Sequence, residues 1–491
     1  MATRIDGDGG GELLGSGTGD HADFISNLPD DVLGTIVSLL PTRQGGRTQA
    51  LSRRWRPIWR AAPLNLDVGD DGRGFPEKVF SAILSAHAGP ARRILLTKLY
   101  PLPTNYDYAN RREVYDDAGD GRVDGWLRSR DLSSLQELDL AYSYDHCRTT
   151  LPPSVFRLAP ALRVARFGCC RLPPNLAADL PHLQQLTLYR VTLTDETFRA
   201  MLAGCPALES LMLEMNVGVG RLRVSSPTLR SIGFLSPWEK QQCHDDIDDV
   251  NEIVVEDAPR LDRLLPLNQK KGSAIIRIIS APKLQILGSL SYGIANLQLG
   301  ATVFQQMVAI SLTTTIHTVK VLALDHVGPD LDTVLDFLKC FPCLESLYIV
   351  LHPLRFQDPY HENELPLLKK MKNMRKYASL DDPTECLELH LKKVALKVYY
   401  GRGIEVDFAR FFVLNARVLE RMEFGLVEEY DDKWRANQNM HLQLEDRASH
   451  NARFEFKRFS LTSFKDYKKH THDLSMPDPF GASFFDGYVS L

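Results

Sequence analysis

The stretch PALESLML, from Pro206 to Leu213, decides the fold of this chain. Successive side chains of an extended strand point to opposite faces, so Leu211 and Leu213 share one face while Met212 lies on the other. The stretch therefore predicts a short strand with two leucines in a core and one residue outside it.

A helix is predicted before this strand. Phe198, Met201 and Leu202 follow the i, i+3, i+4 spacing of one helix face, and Gly204 with Pro206 ends the pattern. The segment at 331–338 repeats this layout, with Leu331, Val334, Leu335 and Leu338 on the helix face.

The same phrase recurs along the chain. Copies with the proline begin at Pro160, Pro181, Pro206, Pro227, Pro259, Pro282 and Pro342, and copies without it lie at 135–140, 319–324, 391–396 and 419–424. Most steps are about 20–30 residues, and L-x-x-L-x-L at this period is the signature of leucine-rich repeats. Because no repeat buries its apolar face alone, the units should stack into a curved α/β solenoid with parallel strands.

Composition excludes several classes of protein. The 491 residues carry a formal net charge of -4, which gives no overall attraction to nucleic acid or anionic membrane. Apolar runs stay short of the roughly 20 residues that a membrane helix needs, and the first residues lack a signal-peptide layout. We therefore expect no nucleic-acid or membrane partner, a location in the nucleus and/or cytoplasm, and reduced cysteines.

The first 63 residues differ from the repeats. Residues 1–22 are rich in glycine and predict a disordered lead. After it, Val32, Leu33, Ile36, Leu39 and Leu40 predict an amphipathic helix that ends at Pro41. Asn27 should cap this helix, with Pro29 in its first turn. Beyond a Gly45-Gly46 hinge, a second apolar stripe is predicted at Leu51, Trp55 and Trp59, and Pro57 should break or bend that helix.

Two interpretations of this helical segment are open. It could cap the apolar end of the first repeat, or it could fold with one face and dock a partner with the other. Six arginines between Arg43 and Arg60, with no acidic residue among them, suit nucleic acid or an acidic protein partner.

The segment 24–63 resembles a plant F-box, through LPDDVL, SLLPTR, RTQALSRRWRPIW and LNLD in that order. Residues 386–424 resemble the FBD region that ends many plant F-box/leucine-rich-repeat proteins. The predicted organisation is a lead at 1–22, an F-box at 24–63, a linker with first irregular repeats at 64–130, regular repeats at 131–385, FBD-like repeats at 386–425 and a tail or cap at 426–491.

The resemblance implies a non-catalytic substrate receptor of an SCF-type cullin–RING ubiquitin ligase, bound to a Skp-family adaptor and through it to a cullin. A repeat-based scaffold or sensor outside a cullin complex is the alternative, and a small-molecule ligand in the solenoid is a variant of the first. The adaptor-facing positions of the family correspond to Leu28, Pro29, Ile36, Leu39, Leu40, Pro41, Leu51, Trp55 and Trp59.

A target protein should bind the concave side of the solenoid. The residues between the two core positions of each strand point to that side. We predict target contacts at Asp139, Arg166, Thr187, Met212 and Tyr348, in a row that also holds Ala323, Ala395 and Glu423.

Other motifs predict no chemistry. Cys340 and Cys343 lie within a repeat and are interpreted as core cysteines, while HTH at 470–472 is interpreted as a solvated loop instead of a metal site. Asp245, Asp246, Asp248 and Asp249 mark an insertion, interpreted as a solvated loop or as a second docking patch. With no nucleophile–base pair, metal motif or P-loop, the sequence predicts no enzyme and no cofactor.

Overall fold

The structure is a computed structural model. It describes residues 24–25, 27–68, 77–100, 105–107, 112–114, 121–128, 132–144, 149–157, 161–236, 249–266, 274–325, 327–351, 384–428, 430–458 and 467–481. The predicted disordered lead at 1–22 lies outside these residues, as do Asp245, Asp246 and Asp248 of the acidic insertion.

The described residues form 22 strands in chain order. These are β1 Leu64–Val68, β2 Ala91–Leu99, β3 Asn105–Asp107, β4 Arg112–Val114, β5 Glu137–Tyr142, β6 Val164–Arg171, β7 Gln185–Thr192, β8 Ser210–Glu214, β9 Arg221–Ser225, β10 Ser231–Leu235, β11 Glu252–Asp257, β12 Arg263–Pro266, β13 Ala274–Ile278, β14 Ile286–Ser291, β15 Ile294–Leu299, β16 Thr302–Gln305, β17 Val308–Ser311, β18 Val321–Asp325, β19 Ser346–Val350, β20 Lys393–Tyr399, β21 Arg421–Leu426 and β22 Arg453–Arg458.

One parallel sheet of 14 strands runs through the chain. Its order is β1-β2-β5-β6-β7-β8-β10-β12-β14-β18-β19-β20-β21-β22, which follows the sequence without a reversal. Every copy of the repeat phrase forms one of these strands, and the paired core leucines of the phrase, such as Leu186 and Leu188, are buried. The large parallel sheet confirms the predicted α/β class and is consistent with a leucine-rich-repeat solenoid.

The α-helices of the described segments lie between these strands or at the ends of the chain. They are α1 Asp30–Ser38, α2 Thr42–Thr48, α3 Trp55–Ala61, α4 Glu77–Ala86, α5 Gly121–Leu127, α6 Asp195–Ala203, α7 Leu331–Cys340, α8 Gly403–Asn415, α9 Asp432–His441 and α10 Tyr467–His472. Two of them match predicted helices: α6 buries Phe198 and Met201, and α7 buries all four of its predicted core residues. Thr194 caps α6 through a hydrogen bond from the Thr197 amide.

Between Arg221 and Leu299 the repeats carry a strand in the place where α6 and α7 carry a helix. Strands β9, β11, β13 and β15 pair in parallel, and β16 with β17 continues this second sheet in antiparallel order. The cause is a period of two: in β9, Leu222 and Val224 are buried while their neighbours are exposed.

Three features predicted for the first helices are wrong. Helix α1 begins after Pro29, with no side-chain cap from Asn27. Gly45 and Gly46 form no hinge, because they lie inside α2. A glycine at position 45 serves packing instead, since a Cβ there would lie 2.3 Å from the Trp59 ring. Pro57 is the third residue of α3 and does not break it. In the first turn of a helix the backbone N–H groups have no acceptor within the helix, so the N–H that proline lacks is not needed there.

The first helices are joined to the large sheet. The Thr42 hydroxyl donates to the Asn65 carbonyl, and the Asn65 amide group donates to the carbonyls of Ser38, at 2.5 Å, and Leu40, at 3.3 Å. Asn65 lies in β1, the edge strand. Asn65 therefore connects the end of the solenoid to α1 and the turn after it through its side chain, and to α2 through its backbone carbonyl.

Adding a methyl group at Gly45 tests the packing of the helices. We expect Gly45→Ala to destabilise this segment by about 1–3 kcal/mol, because the methyl group overpacks the space against Trp59. Gly34→Ala is the matched control: no atom lies within 4 Å of its added methyl group, so the better helix propensity should stabilise by about 0.5–1 kcal/mol. Hydrogen exchange of residues 30–61 measures both changes, and equal effects would contradict the packing.

Candidate interaction surfaces

The nine residues predicted to face an adaptor divide into three groups. Trp55 and Trp59 are buried with Leu33, Val37 and Ile58 in the core between the helices. Leu28 and Leu40 are half-buried. The exposed group is Pro29, Ile36, Leu39, Pro41 and Leu51.

An apolar surface remains exposed on the first helix. Val32, Ile36 and Leu39 share one face of α1 at i, i+4 and i+7, and Leu39 is 65% exposed. Leu51, after α2, is 67% exposed, and we call these four residues the N-terminal apolar face. Large exposed aliphatic side chains clustered on so small a helical segment mark a surface that another molecule covers.

The arginines of this segment give it a positive surface. Arg43, Arg47, Arg53, Arg54, Arg56 and Arg60 are all exposed. Arg54 also has a structural role, because its Nε donates to Asp30 Oδ1 at 2.7 Å and its Nη2 donates to the Leu28 carbonyl at 2.5 Å. The start of α1 is thereby held to the start of α3.

The predicted target residues lie in one row across the large sheet. In the strand register Asp139 pairs with Arg166, Arg166 with Thr187, Thr187 with Met212, and Met212 with Gly233. A second part of the row pairs Ala323 with Tyr348, Ala395, Glu423 and Glu455. We call the side of the sheet that carries this row the outward face.

The two ends of the outward face are charged. At the start, Arg166 is exposed and its Nη1 lies 3.9 Å from Asp139 Oδ2, and burial raises the pKa of the Asp139 carboxyl. At the other end, Lys393 lies 3.2 Å from the buried Glu423 carboxylate, which also accepts a hydrogen bond from Lys457.

The middle of the outward face is covered by the C-terminal segment of the same chain. Met212 and Tyr348 are buried, and the residues against them belong to 470–481. We call residues 470–481 the strap. Helix α10, which leads into it, packs against β8 and β10.

The strap begins on β7, β8 and β10. His472 Nε2 lies 2.8 Å from the Thr187 hydroxyl, and His472 Nδ1 lies 2.8 Å from the Ser210 hydroxyl. Thr471 is 0% exposed, with its hydroxyl 2.4 Å from where a Cβ on Gly233 would lie. The solvated loop predicted for HTH is therefore wrong, because these side chains fill a space that small and hydroxyl-bearing strand residues leave open.

Arg263 holds the middle of the strap. Its Nη1 donates to the Asp473 carbonyl at 2.9 Å, and its Nη2 donates to the carbonyls of Leu474, at 3.2 Å, and Met476, at 2.7 Å. The Arg263 side chain is buried in β12. One guanidinium therefore satisfies three backbone acceptors that have left regular secondary structure.

Tyr348 holds the end of the strap. Its hydroxyl donates to Asp478 Oδ2 at 2.6 Å, and its ring lies 5.6 Å from the ring of Phe480. Asp478 Oδ1 also accepts from the Phe480 amide at 3.0 Å, so the carboxylate shapes the turn that places the phenyl ring. Burial and the Asp478 charge both raise the pKa of Tyr348, which therefore stays a donor.

The two cysteines of the CFPC motif differ in how far they are buried. Cys340 is buried, and burial raises the pKa of its thiol to about 12, whereas Cys343 is half-buried with its Sγ 3.7 Å from His317 Nδ1. Within the described ranges no group of three His, Cys, Asp or Glu residues could hold a metal ion. No helix in the same ranges is long and apolar enough to cross a bilayer.

Acid should loosen the strap. Burial, and then the charge of Arg166, lower the pKa of His472 from 6.5 to about 4. Docking is at full strength above pH 6.5 and weakens by about 1.4 kcal/mol per unit as the pH falls from 6.5 to 4, because only the undocked ring takes a proton.

Histidine-selective NMR should show His472 still neutral at pH 5.5. The variant His472→Gln does not titrate, so hydrogen exchange of its strap, corrected for intrinsic rates, should lose this pH dependence. A His472 ring that titrates near its ordinary pKa would contradict the docked geometry.

Two family models match the repeats and the region after them. Residues 123–349 match the leucine-rich repeats of the FBD-associated F-box protein At5g56370 family, and residues 380–424 match the FBD family. Together the two models cover more than half of the chain.

Curated relatives carry the same combination in their names. The F-box/FBD/LRR-repeat protein At5g22660 of Arabidopsis thaliana is 25% identical over 82% of this chain and 89% of its own length. The FBD-associated F-box protein At4g13985 of the same plant is 30% identical over 53% of this chain and 55% of its own length. With its large parallel sheet, its repeats and its FBD region, the chain belongs to the plant F-box/leucine-rich-repeat proteins of the FBD type.

Proposed function

We propose that this protein is the substrate-recognition subunit of an SCF-type cullin–RING ubiquitin ligase. In this role the segment 24–63 is an F-box that binds a Skp-family adaptor, and the adaptor connects it to a cullin. The repeats hold a target protein in the nucleus and/or cytoplasm, and a separate enzyme transfers ubiquitin. The observation that carries the proposal is the N-terminal apolar face. It lies on the helices that precede β1, the edge strand at one end of the large sheet.

The division of the nine candidate residues supports adaptor binding. A helical cap of the solenoid needs apolar residues only for its own core and toward β1; Trp55, Trp59 and Leu33 fill the core between the helices, and α2 packs against β1. Ile36, Leu39 and Leu51 do not contribute to it because they are exposed. The same segment can therefore cap the sheet with one side and bind an adaptor with the other, so the two interpretations of the sequence are compatible.

The arginines favour an acidic partner at this end. Six exposed arginines lie in the same helical segment as the apolar face, and charge complementarity of this kind raises the rate of association and selects the partner. We propose that the adaptor presents acidic residues to them, whereas the chain as a whole, at a net charge of -4, does not favour nucleic acid.

A repeat-based scaffold or sensor outside a cullin complex is the second candidate. It shares the solenoid and the exposed apolar face but needs no cullin. Purification of the tagged chain from plant cells separates the two roles: the ligase role predicts that both the adaptor and a cullin are recovered, and recovery of the adaptor without a cullin favours the scaffold.

Truncation of the apolar face tests adaptor binding. We expect Leu39→Ala and Leu51→Ala each to weaken binding of a purified plant Skp adaptor by about thirtyfold, since a buried anchor contributes about 2 kcal/mol. Ile310→Ala is the control, because Ile310 is also an exposed aliphatic residue but lies in β17 of the second sheet. Calorimetry with the full chain measures all three, and unchanged affinity for Leu39→Ala and Leu51→Ala would contradict the assignment.

A further inference from the structure

We infer that the outward face holds a binding site for a short acidic peptide segment, and that the strap occupies this site as an internal ligand. The inference deepens the proposed function, on which it rests for the role of the bound segment, by assigning the chemistry of the target. The target would carry an extended segment with an aspartate two residues before a phenylalanine.

The contacts with the strap come from distant parts of the chain. Four strands that are distant in sequence supply them: Thr187 from β7, Ser210 from β8, Arg263 from β12 and Tyr348 from β19. All four side chains belong to the outward face, since Ser210 pairs in register with Ser231 and Ser231 with Arg263. The repeats therefore form one continuous site. In each contact one partner is a strand side chain of the repeats and the other belongs to the strap.

The contacts with the strap are of two kinds. Arg263 binds three backbone carbonyls, which any extended peptide offers, whereas Tyr348 binds one carboxylate and one aromatic ring, which few sequences offer at that spacing. Backbone capture combined with a few side-chain pockets is how proteins recognise short peptide segments. The site therefore has both a general and a selective part.

The strap fits closely against the outward face. Thr471 is fully buried and Phe480 is 3% exposed, so the strap is seated in the site at both ends. Gly233 leaves the room that Thr471 fills. Near the phenylalanine end, Lys393 Nζ lies 5.1 Å from the centre of the Tyr348 ring but is paired with Glu423 at 3.2 Å, so the preference for an acidic residue comes from the Tyr348 hydroxyl, which donates to Asp478.

The strap competes with any target because it is tethered. A segment of the same chain has an effective concentration in the millimolar range, so a separate peptide of equal intrinsic affinity binds poorly until the strap leaves. Access of a target to this site is consequently set by the stability of the docked strap.

Peptide binding to the full chain tests the inference. The probe is a fluorescent synthetic peptide with the sequence of the strap, residues 470–481. The release variant carries His472→Ala, Asp478→Ala and Phe480→Ala, and the control variant carries Ser475→Ala and Pro477→Ala, which change exposed residues of the same segment. We expect the peptide to bind the release variant at least tenfold more tightly than it binds the unaltered chain or the control.

A double-mutant cycle tests the contact itself. In the release background, Tyr348→Phe and an Asp→Asn change at position 478 of the peptide should each weaken binding by about tenfold, since each breaks a charge-assisted hydrogen bond. Combined, they should weaken it little more than either alone, because they remove the same interaction.

Two outcomes would overturn the inference. One is failure of the peptide to bind a release variant that keeps the circular dichroism and melting temperature of the unaltered chain. The other is additive effects in the cycle. If the release variant does not fold, Tyr348→Phe in the otherwise unaltered chain is used, with strap hydrogen exchange as the readout, and exchange no faster than in the unaltered chain counts against the inference. Adaptor binding enters none of these measurements, so their failure would leave the role of residues 24–63 untouched.

Discussion

The structure depends on the need of each strand for a neighbour. A single repeat presents two core leucines and a row of open backbone groups, and it can bury the first and pair the second only against the next repeat. The 14-stranded order from β1 to β22 satisfies this need throughout the part of the chain that the structure describes. At the first edge, Asn65 of β1 bonds to the helices. That continuity also produces the outward face, because corresponding residues pair in register from β5 to β10 and again from β18 to β22.

Regular features of the fold could be predicted from the sequence, because the L-x-x-L-x-L phrase repeats a strand's period of two. Strand β22, with the sequence RFEFKR, was missed since it alternates phenylalanine with charge and carries no leucine. Gly45 was misinterpreted as a hinge because the Trp59 ring that requires a glycine lies in another helix. Only the fold shows such a contact.

The candidate site could likewise be predicted from the sequence only in part. The row from Asp139 to Glu423 was predicted as a set, and the register places it in two runs, Asp139 to Gly233 and Ala323 to Glu455, but its coverage was not predicted. The segment HTHDLSMPDPF has no periodicity, and it is held by single contacts from strands up to 287 residues away along the chain. Met212 and Tyr348 stay predicted target residues, which a target reaches only when the strap has left them.

Hydroxyl-radical footprinting of the unaltered chain tests the covered outward face most directly, because it reports the solvent access of individual side chains. Met440, which is 69% exposed on α9, serves as the internal reference for Met212. We expect Met212, Tyr348 and Phe480 to be oxidised far more slowly than Met440. Met212 and Tyr348 should become reactive in the release variant, in which the strap contacts are removed. Oxidation of Met212 as fast as that of Met440 in the unaltered chain would contradict it.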